Sequence, residues 1–247
     1  MVQQTWYDWA KIQAHILQLE QEGLVTRTFR RLDPERQQAI ISAFVDEAID
    51  RGPTAVNVKR VAKRAGVSVG SLYTYFPDRD RMLDFVVEMS VRFVSDEFNS
   101  FRQYLLQPRL REALSLYLTG GVEWSKTQIQ MVQFFARAAY HRDSNLSDRL
   151  VRPIATIMRE TLHDILRQAA ARGEIRSDID LEATARVVHA LTVAVGDSQL
   201  LPYLNAYFQV NDEDMPPERT ADALINLILH GIARESNEGE ITPGEVK

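Results

Sequence analysis

Cysteine is absent from the 247 residues, which removes disulfides, thiolate metal sites and cysteine nucleophiles from consideration. Long apolar runs are absent too, since no stretch approaches the ~20 residues that cross a bilayer. The N-terminus (Met1-Val2-Gln3-Gln4-Thr5-Trp6) has neither the basic nor the apolar region of a signal peptide. The chain therefore reads as cytoplasmic, with no membrane partner. Five histidines (His15, His141, His163, His189 and His230) are scattered, with no pairing at metal-binding spacing. A Gly-x-Ser-x-Gly elbow, a phosphate-cradling glycine loop and a triad are missing as well. These absences predict a protein with no metal, no cofactor and no enzymatic activity. Sustained period-2 alternation is also lacking, so the expected class is all-α.

What is present is unevenly distributed. Hydrophobic content is 45% and charged content 26%, ordinary for a globular protein. The net charge of −5 on its own disfavours nucleic acid, yet residues 51–81 hold Arg51, Lys59, Arg60, Lys63, Arg64, Arg79 and Arg81 against only Asp78 and Asp80. A basic patch on an acidic body suits a protein that meets phosphates with one face. It equally suits a solvated helix surface.

Ile41, Phe44, Val45, Ala48 and Ile49 recur at helical spacing, behind an Asp33 cap and a proline at the first helical position. That helix stops at Gly52-Pro53. Short helices follow at 58–65 and 68–75, then a longer one from about Asp78. Further helices are expected near 108–126, 128–141, 147–172, 181–201 and 218–234. Breaks are expected at Gly173-Glu174, at Pro202 and through 211–217. Upstream, Trp6, Trp9, Ile12, Ile16 and Leu19 form an amphipathic stripe, followed by Gly23 and the basic Arg27-Thr28-Phe29-Arg30-Arg31. That extension either packs on the body or a partner subunit, or serves as an arm contacting DNA through Arg27, Arg30 and Arg31. The polar tail from Ser236 is expected to be disordered.

The segment from Val58 has the parts of a helix-turn-helix. Two short helices must cross closely, and Ala62 supplies the small residue. The turn needs a residue tolerant of positive φ, and Gly66 is placed for it. Val58, Val61, Ala65, Val67 and Leu72 fall on the inner faces. Ser68 is placed to cap the second helix, and Pro77 disfavours helical geometry at Phe76. Leu72 and Phe76 are expected in the core.

The run Val61-Ala62-Lys63-Arg64-Ala65-Gly66-Val67-Ser68-Val69-Gly70-Ser71-Leu72-Tyr73-Thr74-Tyr75-Phe76, continued by Pro77-Asp78-Arg79-Asp80-Arg81-Met82-Leu83, resembles the TetR (tetracycline-repressor-type) family. The resemblance spans about 50 residues, 33–83, and beyond them rests on helical layout and length alone. It implies an N-terminal three-helix DNA-binding domain at 33–82, behind the extension at 1–32. A helical-bundle regulatory and dimerisation domain would occupy 83–235, with a tail at 236–247. It also implies that Lys59, Val69, Gly70 and Tyr73 face the major groove and that Asn57, Ser71, Tyr75 and Arg79 contact phosphates. Two positions depart from the family's habit. Val69 stands where a polar or basic residue is common, and Arg79 where lysine is. Valine cannot hydrogen-bond a base edge but can pack on a thymine methyl.

The function implied is a sequence-specific repressor that leaves double-stranded operator DNA when a small-molecule effector binds. An alternative is a DNA-bound adaptor whose helical domain holds a protein partner. A homodimer is expected through the helices near 181–201 and 218–234, whose stripes are Ala185, Val188, Leu191, Thr192 and Val195, and Ala221, Leu224, Ile225, Ile228 and Ile232. The effector pocket is expected among Tyr104, Tyr117, Trp124, Phe134, Phe135, Tyr140, His141 and Met158. Each of these residues also suits plain core packing.

Overall fold

A computed structural model of the chain describes residues 9–140 and 146–233. Trp6, the Trp9 side chain, His141 and the tail from Ser236 lie outside the described residues. The elements are α1 (Trp9–Gln21), α2 (Arg27–Arg30), α3 (Pro34–Arg51), α4 (Val58–Ala65), α5 (Val69–Tyr75), α6 (Arg79–Leu106), α7 (Leu110–Ser115), α8 (Gly121–Thr127), α9 (Ile129–Ala139), α10 (Arg152–Ala171), α11 (Leu181–Leu200), α12 (Pro202–Phe208) and α13 (Pro217–Ile232). A 3₁₀ turn at Pro53–Ala55 and π-type turns at Leu116–Gly120 and Ser147–Val151 join some of them. The described residues contain no strand, only one isolated bridge between Ile175 and Ala233, so the all-α class is confirmed.

The local rules act where the sequence placed them. Asp33 accepts from the Arg36 amide at 2.9 Å and Pro34 opens α3, while Gly52 closes it with a φ of 94°. Two elements fall outside the expected set. α2 is a single turn capped by Thr26, too short for periodicity to reveal. At Pro202 the expected break is also a start, because proline is favoured in a helix's first turn and α12 begins there.

The chain divides into two compact units, residues 1–103 with 121–160 and residues 104–120 with 161–247. The first has one continuous core. Ile12, Ile16 and Leu19 of α1, Phe29 of α2, Ile40 and Phe44 of α3, Val61 of α4, Leu72 of α5, Phe85 and Met89 of α6, and Phe134 of α9 belong to it. Phe29, Phe76 and Phe85 form a triangle of rings, with centroids 5.2 Å (Phe29–Phe76), 5.3 Å (Phe29–Phe85) and 5.3 Å (Phe76–Phe85) apart. Such pairs each add about 0.5–1.5 kcal/mol beyond their area burial. The N-terminal extension is thus part of the same core as the helix-turn-helix. Gln37, fully buried on α3, donates to the Phe29 and Arg30 carbonyls at 3.0 and 3.1 Å, satisfying the end of α2.

In the second unit, α11 packs on α12 and α13, and α13 on α7. Glu174 accepts from the Leu110 amide at 2.7 Å, capping α7 from a distance of 64 residues along the chain. The stripes expected at a subunit interface are largely internal here. Ala185, Val188 and Thr192 of α11 are buried, as are Ala221, Leu224, Ile225, Ile228 and Ile232 of α13. This corrects the sequence reading, for a helix packed within its own unit spends its most regular apolar stripe there. The outer faces carry a second set. Ala183, Val187, Ala190 and Leu191 lie exposed along α11, and Ala223, Leu227 and Gly231 along α13.

Candidate nucleic-acid interface

α4 begins because Asn57 caps it, its Oδ1 accepting from the Lys59 and Arg60 amides at 3.0 and 3.3 Å. It ends at Gly66, whose φ of 67° is left-handed. A Cβ there would meet nothing within 4 Å, so glycine is required by backbone conformation alone. The turn is closed by the Val67 amide donating to the Ala62 carbonyl at 3.0 Å. Ser68 then accepts from the Ser71 amide at 2.9 Å, starting α5, and Phe76 leaves the helix at φ −126° and ψ 133°, the extended geometry favoured before proline. Ala62, Val61 and Leu72 are buried at the crossing.

This packing sorts the side chains of α5. Leu72 and Tyr75 point inward, and the Tyr75 ring stands edge-on to Phe29 at 6.1 Å. Gly70, Tyr73 and Thr74 share the exposed face, as spacings of three and four require. Tyr73 is 49% exposed and Tyr75 only 8%, so of the two tyrosines Tyr73 is the one presented to solvent. Val69 is half-buried against the core. Ser71 is half-buried, its hydroxyl 2.8 Å from that of Ser68. Thr74 was not singled out from the sequence, although its spacing from Gly70 would have shown it.

Charge is sorted as sharply. Arg60 donates to the fully buried Glu47 at 2.7 Å. Arg64 pairs with Asp50 and lies 3.7 Å from Glu47, and the Asp50 hydrogen bond, outweighing a smaller opposing effect of burial, raises the guanidinium's affinity for its proton. Both carboxylates come from α3, just outside the basic stretch, so α4 keeps Lys59 and Lys63 as exposed cations without an ion pair among the described residues. Arg79 donates to the Val56 carbonyl at 3.1 Å and to that of Thr54, bracing the α3–α4 connection to the start of α6. A guanidinium has five N–H groups, so this brace leaves others at a side chain that is 44% exposed.

The residues expected at an effector pocket are not gathered within either unit. Tyr104 and Tyr117 belong to the second unit, whereas Trp124, Phe134, Phe135, Tyr140 and Met158 belong to the first. Phe134 is fully buried in the core shared with α3 and α6, with Phe135, Met158 and Trp124 packed against it. Trp124 stacks on Phe93 at 6.2 Å. Tyr117 is buried, which pushes its hydroxyl well above the usual tyrosine range, while Tyr104 and Tyr140 are exposed. Among the described residues no three His, Asp or Glu side chains are grouped to hold a metal ion. No helix there is long and apolar enough to cross a membrane.

Residues 40–85 match the family model of bacterial regulatory proteins, tetR family. The chain is 28% identical over 138 residues to the HTH-type transcriptional repressor KstR2 of Rhodococcus jostii, an alignment covering 56% of this chain and 66% of that protein. The chain thus spans just under two thirds of that relative's length. The fold is that of a TetR family transcriptional regulator from Chloroflexus aurantiacus (TM-score 0.62, 18% identity, 85% of this chain and 99% of that one). It is also that of SmeT, solved in complex with triclosan (TM-score 0.62, 15% identity, 87% and 99%). The helix-turn-helix thus lies inside a segment that matches the tetR family of bacterial regulatory proteins, and the all-helical body has the fold of the structures compared above.

Proposed function

We propose that the chain is a dimeric, sequence-specific repressor whose grip on operator DNA is released by a small-molecule effector. The observation that carries the DNA-binding part is the exposed face of α5. Gly70, Tyr73 and Thr74 stand clear of the core, and α4 adds the exposed cations Lys59 and Lys63. Lys59 reads base edges by hydrogen bonding, Val69 packs on a thymine methyl, and Gly70 lets the backbone approach. Tyr73 serves through its hydroxyl. Asn57, Ser71 and the spare N–H groups of Arg79 meet phosphates. Tyr75 is assigned chiefly to packing.

A helix-turn-helix reads two half-sites about 34–36 Å apart, which calls for a symmetric dimer. The exposed stripes through Val187 and Leu191 of α11 and Leu227 of α13 supply its surface, facing a second copy of the chain. The effector part is supported by fold, since SmeT is known with triclosan bound. α6 runs unbroken for 28 residues from Arg79, so a ligand that displaces its far end tilts the platform of α5. Release requires a different effector affinity for the two arrangements.

Selection of binding sites from random DNA tests this directly. The expected product is a palindrome with half-sites one helical turn apart, bound at least about 1,000-fold more tightly than random duplex, the lower end for specific recognition. Recovery of no preferred sequence would overturn the reading. For the effector, a compound that raises the protein's melting temperature should also free the selected duplex. If an interacting protein does this and no small molecule does, the adaptor reading takes its place.

A further inference from the structure

The extension does more than fill the core, because it is bonded to the reading helix itself. The Thr26 amide donates to the Tyr75 carbonyl at 2.9 Å, and the Thr26 hydroxyl to the Thr74 carbonyl at 2.8 Å. These are last-turn carbonyls of α5, the partly negative end of the helix, which would otherwise repel a nearby phosphate. The next residue is Arg27. Phe29 points inward, fully buried, and Arg30 is held by Glu20. Arg27 and Arg31 are exposed and have no ion pair among the described residues. Four residues apart on a helical turn, they share one side.

From this placement we infer that residues 26–31 form a second phosphate-binding element, with Arg27 and Arg31 clamping the DNA backbone beside the C-terminal end of α5. The inference rests on the DNA-binding reading above. Two observations point to DNA rather than another partner: the element is continuous with the reading helix through two hydrogen bonds, and its exposed charge is wholly positive. Thr26 fixes the position of Arg27 by capping, so the element is preorganised and does not act as a loose arm. Of the three arginines in this segment, the structure assigns Arg30 to the fold and the other two to the ligand. Phosphates carry no base information, so the element adds affinity equally to all sequences.

The test is a salt titration of full-length protein on a random-sequence duplex and on the selected operator. The Arg27→Ala/Arg31→Ala variant should lower the slope of log K against log salt by about 0.9 for each phosphate that is no longer neutralised, hence by nearly 2 per half-site. The decrease should be the same on both duplexes. Arg27→Lys/Arg31→Lys should restore the slope, and Arg30→Ala should leave it at the wild-type value. Thermal unfolding of each variant checks that the fold is intact. An unchanged slope in the double alanine variant, with wild-type binding normal, would overturn this inference and spare the DNA-binding reading. An equal decrease in Arg30→Ala would overturn it too, by showing an effect of overall charge. Failure of the wild type to bind either duplex at low salt would overturn both.

Discussion

The helices that bear the candidate surfaces of the two compact units handle apolar residues differently. The first gathers Phe29, Phe44, Phe76, Phe85 and Phe134 into a core that leaves each of them at most 1% exposed. Its exposed positions on α4 and α5 are mostly polar or small. The second unit buries one stripe of α11 and of α13 and leaves another in solvent, with Val187 60% and Leu227 65% exposed, and Tyr207 of α12 is 78% exposed. Helices with a single apolar stripe can be satisfied within one chain, whereas helices with two need a second surface. The first unit therefore presents a largely polar face on α4 and α5, whereas the second leaves apolar surface for the second copy proposed above.

The first unit's core is most sensitive at Phe29. Phe29→Ala removes a ring that joins α2, α5 and α6, and should cost about 3–5 kcal/mol, read as a lower urea midpoint. A cost below about 1 kcal/mol, the level of an ordinary surface change, would mean that the extension is not part of the first unit's core. Next in size is Val187→Glu combined with Leu227→Glu. By placing charge on the open stripes it should convert the proposed dimer to monomer in sedimentation and weaken operator binding about 100-fold, equivalent to about 2.7 kcal/mol. Unfolding of the first unit should be little changed. A variant that stays dimeric would show that these faces have another use.

The second unit also carries a buried carboxyl whose effect on stability is smaller. Burial pushes the Asp197 carboxyl on α11 up to about 6. Its folded pKa exceeds the unfolded value near 3.9, so the stability linked to its protonated form is present at low pH and is lost as pH rises through about 6. Asp197→Asn should remove that part of the pH dependence, stabilising the protein more at about pH 7.5 than at about pH 5 in urea unfolding. Equal effects at both values would place Asp197 in water.

Much of the reading element was legible because its rules are local. Asn57, Gly66, Ser68 and Pro77 act on their near neighbours in the chain, so the bounds of α4 and α5 follow from spacing and capping chemistry. The charge of α4 was legible only in part. Counting along the chain could not show that Glu47 and Asp50 reach across from α3 to engage Arg60 and Arg64, leaving Lys59 and Lys63. Aromatic content in the middle of the chain suggested a pocket, but the same residue types fill cores, and Phe134 does so here.

By itself, then, the sequence determined an all-α protein with a helix-turn-helix at 58–76 and the family to which that motif belongs. Periodicity and capping depend only on near neighbours. The tertiary structure decided which faces are open. It buried the regular stripes of α11 and α13, turned Tyr75 inward and Tyr73 outward, and joined Thr26 to the carbonyls of Thr74 and Tyr75 across the first unit. Those outcomes depend on which surfaces meet, and a hydrogen bond between distant residues leaves no period or spacing in the chain that makes it.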